Sequence, residues 1–275
     1  GEKARVDMDY MCELTGKTEE EIFADLKGVI FLNPMYGYGN STQAKYLMAD
    51  EYLSGNVREK LVLARKSAEL YPEDYTVNVE ALERVQPKDL TASEIAVRLG
   101  ATWLPTEIVE QFMFEFLGTP RYAQWNIKVH FSAYTGEWNI EGKSYDRSNV
   151  KAYSTYGTGR INAYKIIEET LNLKDVRIFD YVEDADGKKK AILNKKETAI
   201  AQAKQELIKQ GFQDWVWSDP ERRERLCILY NEKFNSLRPR EYDGSHIVFS
   251  GMNPEIELRE HQRNAVAHIL YGGNT

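Results

Sequence analysis

Cysteine is scarce: Cys12 and Cys227 are the two in 275 residues. That is too few for a disulfide framework, and they stand in no metal-ligand spacing, so a reducing cytoplasm is expected. Histidine is nearly as rare. His130, His246, His261 and His268 have no cysteine or carboxylate partners at zinc spacings, so no metal is expected. No window comes near the roughly 18 uninterrupted apolar residues of a membrane span. The opening Gly1-Glu2-Lys3-Ala4-Arg5 leads into polar sequence without an apolar signal region, so no membrane partner is expected. A basic surplus is also missing, because 36 Lys and Arg stand against 43 Asp and Glu, a net charge of −7. A chain coated in phosphate-binding residues is thereby excluded.

Apolar residues make up 42% and charged residues 29%, and tyrosine is abundant at 17. That composition fits a globular chain long enough for about two domains. The mean charge hides a basic island between Arg121 and Lys165. Seven cations (Arg121, Lys128, Lys143, Arg147, Lys151, Arg160, Lys165) stand there against Glu137, Glu141 and Asp146, a local +4 that leaves −11 elsewhere. The same stretch holds nine aromatics: Tyr122, Trp125, Phe131, Tyr134, Trp138, Tyr145, Tyr153, Tyr156 and Tyr164. Such an island suits duplex or single-stranded DNA: stacking on unpaired bases would implicate Trp138 or Tyr156, a duplex would engage the basic residues alone, and the plain alternative is that these aromatics are core.

The periodicity predicts an α+β chain with mostly helical N- and C-terminal parts around a small antiparallel sheet. Four segments are expected: residues 1–118, mostly helical; 119–195, α+β with the island; 196–254, helical; and 255–275, a first motor helix. Thr18-Glu19-Glu20-Glu21 is a capping box, and Asn56 caps a helix closed by Pro72. Thr91-x-x-Glu94-Ile95 repeats the grammar of Thr18-x-x-Glu21-Ile22. Ile127 to Tyr134 alternates as a half-buried strand turning at Thr135-Gly136 into Glu137 to Glu141, a hairpin with a basic, wet face. Val176 to Val182 pairs with Lys188 to Leu193 across Asp184-Ala185-Asp186-Gly187. Thr198 caps a helix with Ile200, Ala203, Leu207 and Ile208 inward and Gly211 as its stop. Asp219-Pro220-Glu221 starts another with Leu226, Leu229, Tyr230 and Phe234 buried. A short strand is expected at His246 to Phe249.

Several near-motifs fail on physical grounds. Gly136 to Ser144 imitates a phosphate loop, but five residues separate Gly136 from Gly142 where four are needed for the amides to converge. Asn33-Pro34-Met35-Tyr36 lacks a proline of the adenine-methyltransferase motif and reads as a strand end entering a loop. Ser93 to Leu117 has a helix-turn-helix cadence, yet Thr106 to Leu117 carries Glu107, Glu110 and Glu115 and no cation, so phosphates would repel it. Tyr156-Gly157-Thr158-Gly159-Arg160 feeds a helix and reads equally as a phosphate-accepting turn or a plain one.

Leu258-Arg259-Glu260-His261-Gln262-Arg263-Asn264-Ala265-Val266 resembles the opening element of superfamily 2 motors of the DEAD/DEAH and Swi/Snf types. That resemblance implies that Gln262 contacts the adenine of ATP in a full-length motor. The chain ends 13 residues after Gln262, so a fragment lacking the motor is expected. Ala49 to Leu61, Arg98 to Pro105, Tyr230 to Asn235 and Tyr242 to His246 resemble, in order, the region before the motor in large helicase and adenine-specific DNA methylase fusion proteins of bacterial mobile elements and phages. The resemblance implies a bacterial cytoplasmic setting. It also implies a role in DNA modification or anti-restriction, with ATP and S-adenosylmethionine serving other parts of the parent chain. The helicase motor and methyltransferase domains would then be intramolecular partners. For these residues themselves the expectation is no catalysis and no cofactor. DNA would bind through Arg121, Lys128, Lys143, Arg147, Lys151 and Arg160; the alternative is a protein scaffold using the apolar, acidic helix Thr106 to Leu117.

Overall fold

The computed structural model describes residues 6–37, 43–183, 189–253 and 255–272. The chain divides into two compact units, Gly1–Asp89 with Asn231–Thr275, and Leu90–Tyr230. In the first unit, Asp7 caps α1 (Met8–Thr15) by accepting from the Tyr10 amide, and Gly16 at φ +69° closes it. The capping box at Thr18 opens α2 (Glu19–Asp25). Strands β1 (Ile30–Leu32) and β2 (Tyr46–Met48) pair antiparallel with Phe31 opposite Leu47. Met8, Ile22, Ile30 and Tyr46 form the apolar cluster between these helices and strands. After α3 (Ala49–Tyr52) and β3 (Gly55–Asn56), Asn56 caps α4 (Val57–Leu70). Pro72 then ends one helix and begins the next, α5 (Pro72–Arg84), because its missing N–H is no loss at a first helical position. Phe31, Tyr52, Val57, Leu61 and Leu82 pack between them.

The second unit is built on α6 (Thr106–Leu117), the short α7 (Arg121–Gln124) and the hairpin β4 (Lys128–Ser132) with β5 (Glu137–Glu141). A π-helical turn (Lys151–Thr155), α8 (Ala163–Leu171), the hairpin β6 (Phe179–Glu183) with β7 (Lys189–Leu193) and α9 (Lys195–Val216) follow. Ile108, Val109, Phe112, Met113 and Leu117 of α6 lie in one core with Ile127, Ile140, Ile167 and Phe212. The apolar face of α6 is therefore buried inside its own unit, which removes the feature that suggested a scaffold. The open edge of β5 is covered by side chains of α8. Glu168 accepts from the Ile140 amide at 2.8 Å, while Asn172 accepts from the Trp138 amide at 2.9 Å and donates to the Trp138 carbonyl at 2.8 Å. Two residues one helical turn apart thus replace a third strand and satisfy the edge.

Several local expectations are corrected. Asn194 caps α9, whereas Thr198 is buried within it and bonds to the Ile178 amide. Gly211 does not stop α9; a Cβ there would lie 2.2 Å from the Phe116 ring, so the glycine admits a neighbouring aromatic. The buried stripe of α9 is Ala201, Gln205, Ile208, Phe212 and Val216, leaving Ile200, Ala203 and Leu207 exposed. In α10 (Pro220–Phe234) Leu226 is buried, Leu229 and Tyr230 are half-buried, and Phe234 is exposed. Residues 246–249 form a turn and coil, with the Ile247 amide bonded to the Gly244 carbonyl, and no strand among the described residues pairs with them. Thr91 to Ile95 makes one hydrogen-bonded turn and no helix, so similar capping grammar has a different outcome from Thr18 to Ile22. The residues expected to join β6 to β7 across Asp184 to Gly187 lie outside those described.

The chain returns to the first unit with β8 (Leu237–Arg238), which pairs with β3, and α11 (Glu260–Tyr271). The Tyr242 to His246 loop docks on α11. The Gly244 amide donates to Asn264 Oδ1 at 2.9 Å, Tyr242 stacks on His268 at 4.7 Å, and His246 Nε2 lies 3.1 Å from the Tyr271 hydroxyl. A Cβ on Gly244 would lie 2.1 Å from the Arg263 carbonyl, so only glycine permits this approach. All of the antiparallel pairing among the described residues is in two-stranded ladders, and the fold is α+β.

Candidate nucleic-acid interface

The fold sorts the island into an inside and an outside. Trp138 and Tyr164 are buried, and Phe131, Tyr153 and Tyr156 pack partly against the core. Trp138, 3% exposed, is unavailable for stacking, and Tyr156 is half-buried against the Phe116 ring at 4.3 Å. The exposed aromatics are Tyr122 at 61%, Trp125 at 81%, Tyr134 at 100% and Tyr145 at 62%.

The cations divide in the same way. Lys143 donates to the Ile140 carbonyl and to Glu168, and Lys165 pairs with Glu168 and Glu169. Arg160 pairs with Asp180 at 2.8 Å and donates to the Phe179 carbonyl. Thr158 Oγ1 already accepts from the Arg160 and Ile161 amides, and Asn162 caps α8, so the 156–160 turn has little left to offer an anion. Arg121, Lys128, Arg147 and Lys151 are exposed and pair with no carboxylate among the described residues. The wet face of β4–β5 is not markedly basic, since Lys128 faces Glu141 across the ladder and Ser132 faces Glu137.

Two of these cations, Arg121 and Arg147, and three of the exposed aromatics, Tyr122, Trp125 and Tyr145, lie in segments that touch. Gly142, at φ +68°, sits so close to residue 126 that a Cβ would be 2.0 Å from the Asn126 carbonyl oxygen and 3.2 Å from the Tyr145 ring. Tyr122 Oη lies 3.5 Å from Ser148 Oγ, and Asn149 donates to the Leu117 carbonyl at 3.0 Å. Residues 121–126 thus lie against residues 142–149, with Arg121, Tyr122 and Trp125 on one segment and Tyr145 and Arg147 on the other. Lys151 borders this surface, its Nζ 3.8 Å from where a Gly118 Cβ would be, beside the negative end of α6. The one acid in residues 121–127 and 142–151, Asp146, is buried and tied to the Tyr164 hydroxyl and Asn149 at 2.6 Å each. Folding withdraws the negative charge of these segments and leaves their surface cationic and aromatic. Sequence reasoning found the island and singled out Trp138 and Tyr156; alternation in β5 already puts Trp138 inward with Ile140.

Elsewhere, the Asn33 side chain donates to Gln43 and the Ala44 carbonyl and accepts from the Met35 amide. Both of its amide donors and one lone pair of its oxygen are thus taken up locally. Gln262 Oε1 accepts from the Arg259 amide at 2.9 Å, at the start of α11. Among the described residues no group of three or more His, Cys, Asp or Glu could hold a metal, and no helix is long and apolar enough to cross a membrane.

Residues 1–40 match a family model described as a probable helicase, winged helix domain, so this stretch is similar to a helicase-associated region. It contains α1, α2 and β1. The sequence signal for α1 was present and missed: Asp7 as cap, Met8, Met11 and Cys12 on one side, and Gly16 as stop. The chain matches no curated protein and no solved structure. A second family model covers residues 98–236, just over half of the 275 residues and nearly all of the second unit. The chain belongs to that family, described as a domain of unknown function (DUF8437).

Proposed function

We propose that this chain is a non-catalytic DNA-engaging module of a helicase, holding DNA through the cationic surface of its second unit. The observation that carries the proposal is the burial of Asp146 together with the exposure of Arg121, Arg147 and Lys151 without carboxylate partners among the described residues. The helicase-like match at residues 1–40 supports the setting. The resemblances at Leu258 to Val266 and Tyr242 to His246 support a parent chain that joins the motor to an adenine-specific DNA methylase of mobile DNA. In that parent, ATP and S-adenosylmethionine would serve the other domains, and Gln262 would have to release the Arg259 amide before meeting an adenine. Both resembling segments fold here into one docked piece, a suitable coupling point for a motor.

Arg121, Lys128, Arg147 and Lys151 together predict weak, sequence-independent binding whose log-log salt slope is about −2 to −4, fading by moderate salt. A titration of this chain with labelled DNA over a salt series measures it. Arg121→Glu with Arg147→Glu should abolish binding while leaving circular dichroism unchanged, since both side chains are exposed. Binding that survives in the folded double variant, or no binding by the parent chain at low salt, would refute the proposal.

A further inference from the structure

We infer that the surface around Trp125 and Tyr145 selects single-stranded DNA over duplex by stacking on unpaired bases. This rests on the DNA-engaging proposal and specifies its substrate. A tryptophan 81% exposed, with two tyrosines above 60% on the touching segments, is a large apolar exposure that folding leaves unused. The core takes other rings of the same island inside, Trp138 and Tyr164 among them, so these three are not merely surplus. Their placement is built: Gly142 adopts a left-handed backbone that lets the two segments come together, and only a residue without a side chain fits there. Phosphates are matched by Arg121 and Arg147, and no carboxylate of these segments intervenes because Asp146 points inward.

Duplex DNA satisfies only half of this surface. Its bases are stacked on each other and offer a ring no face, so it would meet the cations alone. A single strand presents base faces and phosphates together, and stacking on an aromatic side chain is worth enough for about a tenfold to hundredfold gain per base. The reading is sequence-tolerant, because every base has such a face.

The test uses the whole chain, a short pyrimidine oligonucleotide that cannot self-pair, and the duplex it forms with its complement, at matched low salt. Trp125→Ala and Tyr145→Ala should each weaken single-strand binding about tenfold or more and leave duplex binding within about twofold. Trp125→Phe should restore most of the loss, and quenching of tryptophan fluorescence by the single strand should largely disappear in it. Equal losses on both ligands, or none on either, would overturn the inference while leaving the DNA-engaging proposal standing. Loss of both ligands in Arg121→Glu with Arg147→Glu, with Trp125→Ala without effect, would overturn it in the same way. Binding of neither ligand by the parent chain would instead bring down the proposal beneath it. Because Trp125 and Tyr145 are exposed, an unchanged melting transition is expected for every variant.

Discussion

Glu168→Ala should cost the second unit about 3 to 5 kcal/mol, measured by urea unfolding. Glu168 is 7% exposed and accepts from the Ile140 amide and from the ammonium groups of Lys143 and Lys165. Removing it strands a buried strand-edge N–H and leaves two partly buried cations without their shared counter-charge. Glu168→Gln keeps an acceptor for Ile140 and loses only the charge, so about half that cost is expected. Burial pushes the Glu168 carboxyl up, but hydrogen bonds from Lys143, Lys165 and the Ile140 amide outweigh it and hold the group below the usual 4.5. A carboxyl depressed in the folded state stabilises it above the unfolded value and loses that contribution as pH falls through the folded one. The parent chain should therefore lose stability progressively below about pH 4.5, and Glu168→Gln should flatten that limb. Lys165 adds an alkaline limb. Burial lowers its pKa, yet Glu168 and Glu169 raise it above 10.5 on balance, so its contribution is present below that pH and lost above the folded value. An Ala variant as stable as the parent, or an acid limb unchanged in the Gln variant, would show that α8 does not hold the β5 edge electrostatically.

Gly100→Ala is expected to be nearly as damaging, for a purely steric reason. Gly100 has φ +95°, and an added Cβ would stand 2.5 Å from the Leu171 carbonyl oxygen, a backbone atom at the end of α8 that cannot rotate away. The conformational penalty alone is about 1 kcal/mol, and displacing the α8 terminus should bring the loss to about 3 kcal/mol or more. Gly136 supplies the control. Its φ is +71° and nothing lies within 4 Å of its would-be Cβ, so Gly136→Ala should show the conformational penalty and little else. Equal losses at the two positions in thermal or denaturant unfolding would mean that the Gly100 to α8 contact carries no weight.

Local grammar was legible wherever both partners of an interaction are close in sequence. The Thr18 box, the Asn56 cap, the Pro72 boundary, the β4–β5 hairpin and the Asp219-Pro220 start all depend on groups within a few positions of each other. Legibility failed where a distant chain segment decides. Gly211 reads as a stop until Phe116 is known to pack against it, and Thr198 reads as a cap until its hydroxyl is seen to serve Ile178. Composition likewise located the basic aromatic island without revealing which of its members face water.

By itself, the sequence determined the α+β class, the existence of the β4–β5 hairpin, and the concentration of cations and rings between Arg121 and Lys165. Only the tertiary structure decided that Lys143 is consumed by Glu168, that Arg160 is held by Asp180, and that Asp146 is drawn inward to Tyr164 while Trp125 and Tyr145 stay out. The physical reason is separation along the chain. Each of these pairings joins groups on different elements, 25 positions apart for Lys143 and Glu168 and 18 for Asp146 and Tyr164, and no local period encodes which distant partner a side chain will meet.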